Sequence, residues 1–71
     1  MAVKFHIVKN ILTLPSDTKY RKELNLVSWN DREPVYDLRG WDEGHTQMTK
    51  GVTFTKDELI YLKNLLGGIT L

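Results

Sequence analysis

Residues 27–41 read VSWNDREPVYDLRGW, two runs rich in Val, Leu, Tyr and Trp interrupted by Asn30, Asp31, Arg32, Glu33 and Pro34. That pattern predicts an antiparallel hairpin with a polar turn of a few residues. Pro34 has no backbone N–H to give to a ladder, so it belongs at the start of the second run or on an edge. Beyond it Val35, Asp37 and Arg39 alternate with Tyr36 and Leu38. One face of that strand is therefore charged and the other is free to be buried. A lone hairpin is marginally stable, and the remaining segments are expected to cover its apolar face.

The neighbouring segments supply the rest of a sheet. Val3 to Leu14 is rich in β-branched residues and alternates imperfectly, its apolar residues changing sides near Asn10, which predicts a strand with a bulge or bend there. Pro15, Ser16 and Asp17 open a loop that runs to Lys19. Tyr20 to Trp29 is the next strand, with Arg21, Glu23, Asn25, Val27 and Trp29 on one face and Tyr20, Lys22, Leu24, Leu26 and Ser28 on the other. Trp29 thus stands with polar residues, where it either covers core at an edge or offers a stacking surface. Residues 41–50 have no period and read as a long loop, a common place for binding residues. Gly51 to Phe54 makes a short fourth strand.

Thr55 followed by Glu58 is a capping box, and Leu59, Ile60, Leu62, Leu65 and Leu66 form a helical stripe. Gly67 and Gly68 are expected to end that helix through a left-handed backbone. The expected fold is α+β: a four-stranded antiparallel sheet followed by one C-terminal helix. The stripe is wide for a helix covering one small sheet, and 71 residues bury only roughly 60% of their unfolded surface. Both facts favour a homodimer. The tail 69–71 is apolar and is expected to dock on the sheet or on a partner.

Composition narrows the function. The chain reads as a single domain without cysteine, which excludes disulfides and thiolate metal sites. Hydrophobic residues make up 41% and charged residues 27%, the balance of a soluble globular protein rather than a disordered one. No apolar run approaches the about 20 residues of a membrane span, and Lys4 and His6 interrupt any signal-like start, so a cytosolic protein is the default. His6 and His45 lack metal-site spacing, Ser16 and Ser28 lack a nucleophile elbow, and Gly67-Gly68 follows a helix instead of opening one. Neither an enzyme nor a cofactor is expected. Arg21, Lys22, Arg32, Arg39 and Lys50 are instead interleaved with Tyr20, Trp29, Tyr36 and Trp41. Cations that follow a phosphate backbone, beside rings that stack on bases, are what sequence-tolerant binding of single strands requires.

The order of segments VSWN (27–30), PVYDLRGW (34–41), KGVTF (50–54) and TKDEL (55–59) resembles the transcriptional coactivator family founded on positive cofactor four, and most of all its bacterial YdbC-like branch. The likeness runs from about Phe5 to Leu66, and RKELNLVSWN, YDLRGW and HTQMTKGVTF carry most of it. The resemblance implies a homodimer of strongly curved sheets whose helices meet in the interface and whose sheets bind single-stranded DNA in grooves. By position it implies roles for Trp29, Arg39, Trp41 and Lys50, with Arg21, Lys22, Asn25, Ser28 and Asn30 on the DNA-facing segment. Trp29 and Trp41 are then the stacking residues, and Arg21, Lys22, Arg39 and Lys50 the phosphate contacts. The chain departs from eukaryotic members in its Asn-Asp-Arg-Glu-Pro turn, which replaces a lysine-rich one, and in a third strand one residue shorter. A protein-interaction module on the same sheet, or single-stranded RNA binding, is the alternative.

Overall fold

The computed structural model describes residues 3–71. Strands β1 (Phe5–Thr13), β2 (Arg21–Trp29), β3 (Val35–Trp41) and β4 (Val52–Phe54) lie in sequence order in one sheet, each antiparallel to the next. Helix α1 (Lys56–Leu66) follows. The four-strands-then-helix architecture expected from the pattern is the one observed.

The central hairpin turns through Asn30 and Asp31, both with positive φ (52° and 61°), and the Arg32 N–H donates to the Trp29 carbonyl at 2.9 Å. Two consecutive left-handed residues give a turn whose twist matches that of paired strands. Pro34 immediately precedes β3, as its missing N–H requires. β1 departs from regular pairing twice, between Ile7 and Lys9 and between Asn10 and Leu12, where a single irregularity was expected. Each such bulge bends a strand and adds twist.

The result is a strongly curled sheet. Phe5 pairs opposite Trp29 at one end of β2, and Trp41 pairs opposite Arg21 at the other. About 26 Å of extended strand separates those ends. The Phe5 and Trp41 ring centroids nevertheless lie only 5.0 Å apart. The curl buries the charged face more deeply than the apolar one. Val27, Trp41, Asn25 and Asp37 on that inner face are completely buried, and Glu23 nearly so, whereas Leu24, Leu26, Tyr36 and Leu38 on the outer face are only half-buried. Hydropathy identifies the apolar face correctly but says nothing of a sheet that closes its polar face upon itself.

Helix α1 lies on the outer face against β3 and β4. Its capping box is formed: Thr55 Oγ1 accepts from the Glu58 N–H at 3.1 Å and Glu58 Oε1 from the Thr55 N–H at 2.8 Å. The glycine stop differs from expectation. Gly67 is right-handed (φ −63°), and the chain leaves the helix through the Gly68 N–H bonded to Leu65 and the Ile69 N–H bonded to Leu66. Gly51 is required for another reason: a Cβ there would meet the Arg39 Cβ at 2.5 Å and the Leu38 carbonyl at 2.6 Å, so glycine alone lets the chain enter β4.

No side chain of α1 is buried. An apolar groove of about 750 Å³ remains between the helix and β1–β2, with Leu12, Leu14, Leu24, Leu59, Leu62 and Leu66 among its walls. The tail 69–71 is exposed and does not fill it. The radius of gyration is 13.0 Å, against about 11 Å for a compact domain of this length.

Candidate nucleic-acid interface

The inner face is built around two polar assemblies separated by aromatic rings. In the first, Arg39 Nε and Nη2 each donate to the Asp37 carboxylate at 2.7 Å, and Nη1 points to Met48 Sδ at 3.3 Å. Asp37 is completely buried, and this two-pronged pair is what makes a buried carboxylate tolerable. The same guanidinium lies 4.6 Å from the Trp29 ring centroid, so the ion pair also fixes the indole. Phe5 approaches Trp29 from β1, centroids 6.0 Å apart and planes tilted by 50°.

In the second, Asn10 Nδ2 donates to Asn25 Oδ1 at 2.7 Å and Asn25 Nδ2 donates to Glu23 Oε1 at 3.0 Å. His45 Nε2 sits 3.0 Å from both Glu23 oxygens. His45 reaches that carboxylate from the loop after β3, with positive φ (55°) and its ring 5.5 Å from that of Trp41. Asp42 organises the loop by accepting from the Thr46 N–H (2.8 Å), the Gln47 N–H (2.9 Å) and the Thr46 hydroxyl (2.6 Å). The Gln47 N–H first, and then the Thr46 hydroxyl, hold the Asp42 carboxyl below its ordinary pKa. Lys19 and Tyr20 tie the loop to the start of β2 through Gln47 Oε1, at 2.6 and 3.2 Å. Between β1 and this loop lies a hollow of about 560 Å³ with Phe5, His6, Asn10, Thr13, Glu23 and His45 in its lining.

The nine residues singled out in the sequence divide into three groups. Arg21, Asn25, Trp29, Arg39 and Trp41 share the inner face. Trp29 is half-buried and Arg21 half-exposed at the strand end. Asn25 is completely buried and bonded on both sides, to Asn10 and to Glu23. Trp41 has no exposed surface in this structure, being enclosed by Phe5 and His45, so its ring is not open to a base as it stands. Arg39 is committed to Asp37 and Trp29. Lys22 and Lys50 are exposed and border a separate hollow of about 310 Å³ with Gly40 and Gly51. Lys22 projects to the outer face, as its place in the alternation dictates. Ser28 and Asn30 belong to the turn: Ser28 Oγ donates to the Arg32 carbonyl at 2.6 Å, and the Asn30 N–H to the Lys4 carbonyl at 2.8 Å.

Four residues of the site escaped the sequence reading: Phe5, Asn10, Glu23 and His45. Glu23 was legible only as a neighbour of Asn25 and Trp29 on one face. The others reach the site through the curl of β1 and the path of a loop, neither of which has a local signal. Among the described residues no three His, Cys, Asp or Glu side chains gather as metal ligands, and no helix is long and apolar enough to cross a membrane.

Comparison with known proteins agrees with this architecture. The family model of the Transcriptional Coactivator p15 (PC4) matches residues 16–65, which span β2 through almost all of α1. A protein of Treponema pallidum (strain Nichols), named only as an uncharacterized protein, is 37% identical over 68 residues, covering 94% of this chain and 80% of the relative. With the match covering most of the chain, and the strands and helix in the order that the family resemblance implied, the chain belongs to the transcriptional coactivator p15 family, a family of coactivator-like nucleic-acid-binding proteins.

Proposed function

We propose that this protein binds single-stranded DNA along the inner face of its sheet, with little overall sequence preference, and makes or breaks no bond. The observation that carries the reading is the mounting of Trp29. Its indole is half-buried, clamped by a guanidinium that is itself locked to a buried carboxylate, and it packs against Phe5, a wall of the hollow beside β1. A ring held in place loses little freedom when a base stacks on it, and such stacking is worth about 1–3 kcal/mol per base. Duplex DNA keeps its bases stacked and offers none of this gain. Arg21 at the start of β2 serves the phosphates of the inner-face strand, and Lys22 and Lys50, exposed around the neighbouring edge, continue the phosphate track beyond that face; Arg39 orients Trp29. Trp41, Asn25, Ser28 and Asn30 hold the scaffold.

The active form in this reading is a homodimer. The accessible surface is 5727 Å², against about 4,600 Å² for a compact monomer of this mass. An excess on the order of 1,000 Å² is comparable to the about 800 Å² that each partner contributes to a standard interface. The unfilled apolar outer groove supports a second copy seated there, which would leave both inner faces free. The setting is cytosolic, on single strands exposed during transcription, replication or repair.

The test is a tryptophan-fluorescence titration with oligothymidine, the matching duplex and the RNA equivalent, each at two salt concentrations. Tight, salt-sensitive quenching by the DNA single strand, well above that by duplex, is expected. Equal response to the RNA would widen the ligand to single strands in general. Silence with all three would overturn the reading in favour of a protein-interaction module.

A further inference from the structure

Resting on the single-strand reading, we propose that the hollow beside Trp41 is a base-reading pocket selective for guanine, with the Glu23 carboxylate as its reader. A glutamate whose side chain is 8% exposed in the floor of a groove for a polyanion demands an explanation, because its carboxylate repels phosphate and is costly to bury. Asn25 fixes it from one side through Oε1. On the open side its donor is a single nitrogen, His45 Nε2, straddling both oxygens at 3.0 Å. One N–H shared between two oxygens serves each poorly, whereas two parallel donors would serve both.

The polar groups around the hollow are matched to such a donor pair. Asn10 Nδ2 is already directed to Asn25 Oδ1, the Leu12 carbonyl and Thr13 Oγ1, so what Asn10 has left to offer a ligand is its carbonyl oxygen. Asn10 and Glu23 therefore present acceptors to the hollow. Guanine alone among the bases carries two adjacent donors on its pairing edge, N1–H and the 2-amino group, at the spacing of a carboxylate's oxygens. Adenine and cytosine place one donor beside an acceptor, and thymine flanks its single N–H with two carbonyls that a carboxylate repels. Phe5 and His45 supply rings at the walls. His45 occupies in the free protein the place of the guanine edge, and it can yield. Its side chain is 40% exposed, and it sits on a loop with a left-handed backbone that a non-glycine residue adopts at a cost.

The experiment measures anisotropy of labelled oligothymidine whose central position is thymine, guanine, hypoxanthine or adenine. A single guanine forms no quadruplex, and hypoxanthine keeps N1–H while lacking the 2-amino group. The full protein is expected to prefer the guanine strand by roughly tenfold over thymine, with hypoxanthine between them, the size of a good two-point base contact. In Glu23→Gln the guanine-to-thymine ratio should fall to about one. Equal affinity for all four strands in the unaltered protein overturns the pocket and leaves single-strand binding intact. Guanine preference that survives Glu23→Gln overturns the assignment to Glu23. Failure of every strand to bind overturns the single-strand reading and this one with it.

Discussion

Trp29 and Trp41 lie on the same face of the same sheet, yet their surroundings give them opposite tasks. Trp29 keeps part of its ring accessible over the Arg39–Asp37 pair, so Trp29→Ala should leave the fold intact and weaken oligothymidine binding by about 1–3 kcal/mol, read by anisotropy of a labelled strand. Trp41 is completely enclosed, so Trp41→Ala should lower stability by about 3–5 kcal/mol in urea unfolding. A Trp41→Ala protein of unchanged stability that has lost binding would reverse these roles. Lys50 is exposed beside Lys22 and has no part in the buried pairs. Lys50→Ala should therefore reduce the logarithmic salt slope of binding by about 0.7, the share of one phosphate contact on a single strand. A lowered affinity with an unchanged slope would remove Lys50 from the phosphate track.

Among the elements, the loop after β3 is one in which a single side chain, Asp42, gathers three hydrogen bonds. Asp42 gathers two backbone N–H groups and a hydroxyl, and its carboxyl is held below the usual range by them. A carboxyl with a depressed native pKa contributes its full stabilisation above its unfolded value of about 3.9, and loses it as pH falls through the native value. The Thr46 and Gln47 amides should thus remain protected from hydrogen exchange at mildly acidic pH and lose protection only in stronger acid. Asp42→Ala should remove that protection at neutral pH as well, and with it the seating of His45 on Glu23. Protected amides in Asp42→Ala would show that Lys19 and Tyr20 suffice to hold the loop. Helix α1 is the opposite case. Its start rests on Thr55 and Glu58, a signal of local chemistry, which is why its bounds could be read directly.

For the whole molecule the decisive feature is that an apolar outer face lies open while the centre of the polar inner face is closed, leaving Arg21 and Trp29 accessible at its ends. Ile60 on α1 is 45% exposed and lines the outer groove. On the dimer reading, Ile60→Asp should raise the dissociation constant by roughly a hundredfold or more, because an unpaired carboxylate would be buried in the interface. Sedimentation equilibrium reads this directly. A wild-type monomer at micromolar concentration would refute the dimer.

The strands, the helix and their order were legible in the sequence because each rests on local chemistry: Pro34 before β3, the polar turn at Asn30 and Asp31, and the alternation of β2 that placed Trp29 with Glu23 and Asn25. Chain order and alternation say which side chains share a face. They do not say how far a sheet curls. Only the tertiary structure decided that, since the two irregularities of β1 bring Phe5 against Trp41 across the sheet, and the loop carries His45 back onto Glu23. That closure enclosed Trp41, an expected ligand contact, and drew Phe5, Asn10, Glu23 and His45 into the site. Their meeting depends on contacts between segments distant in sequence, which no local period records.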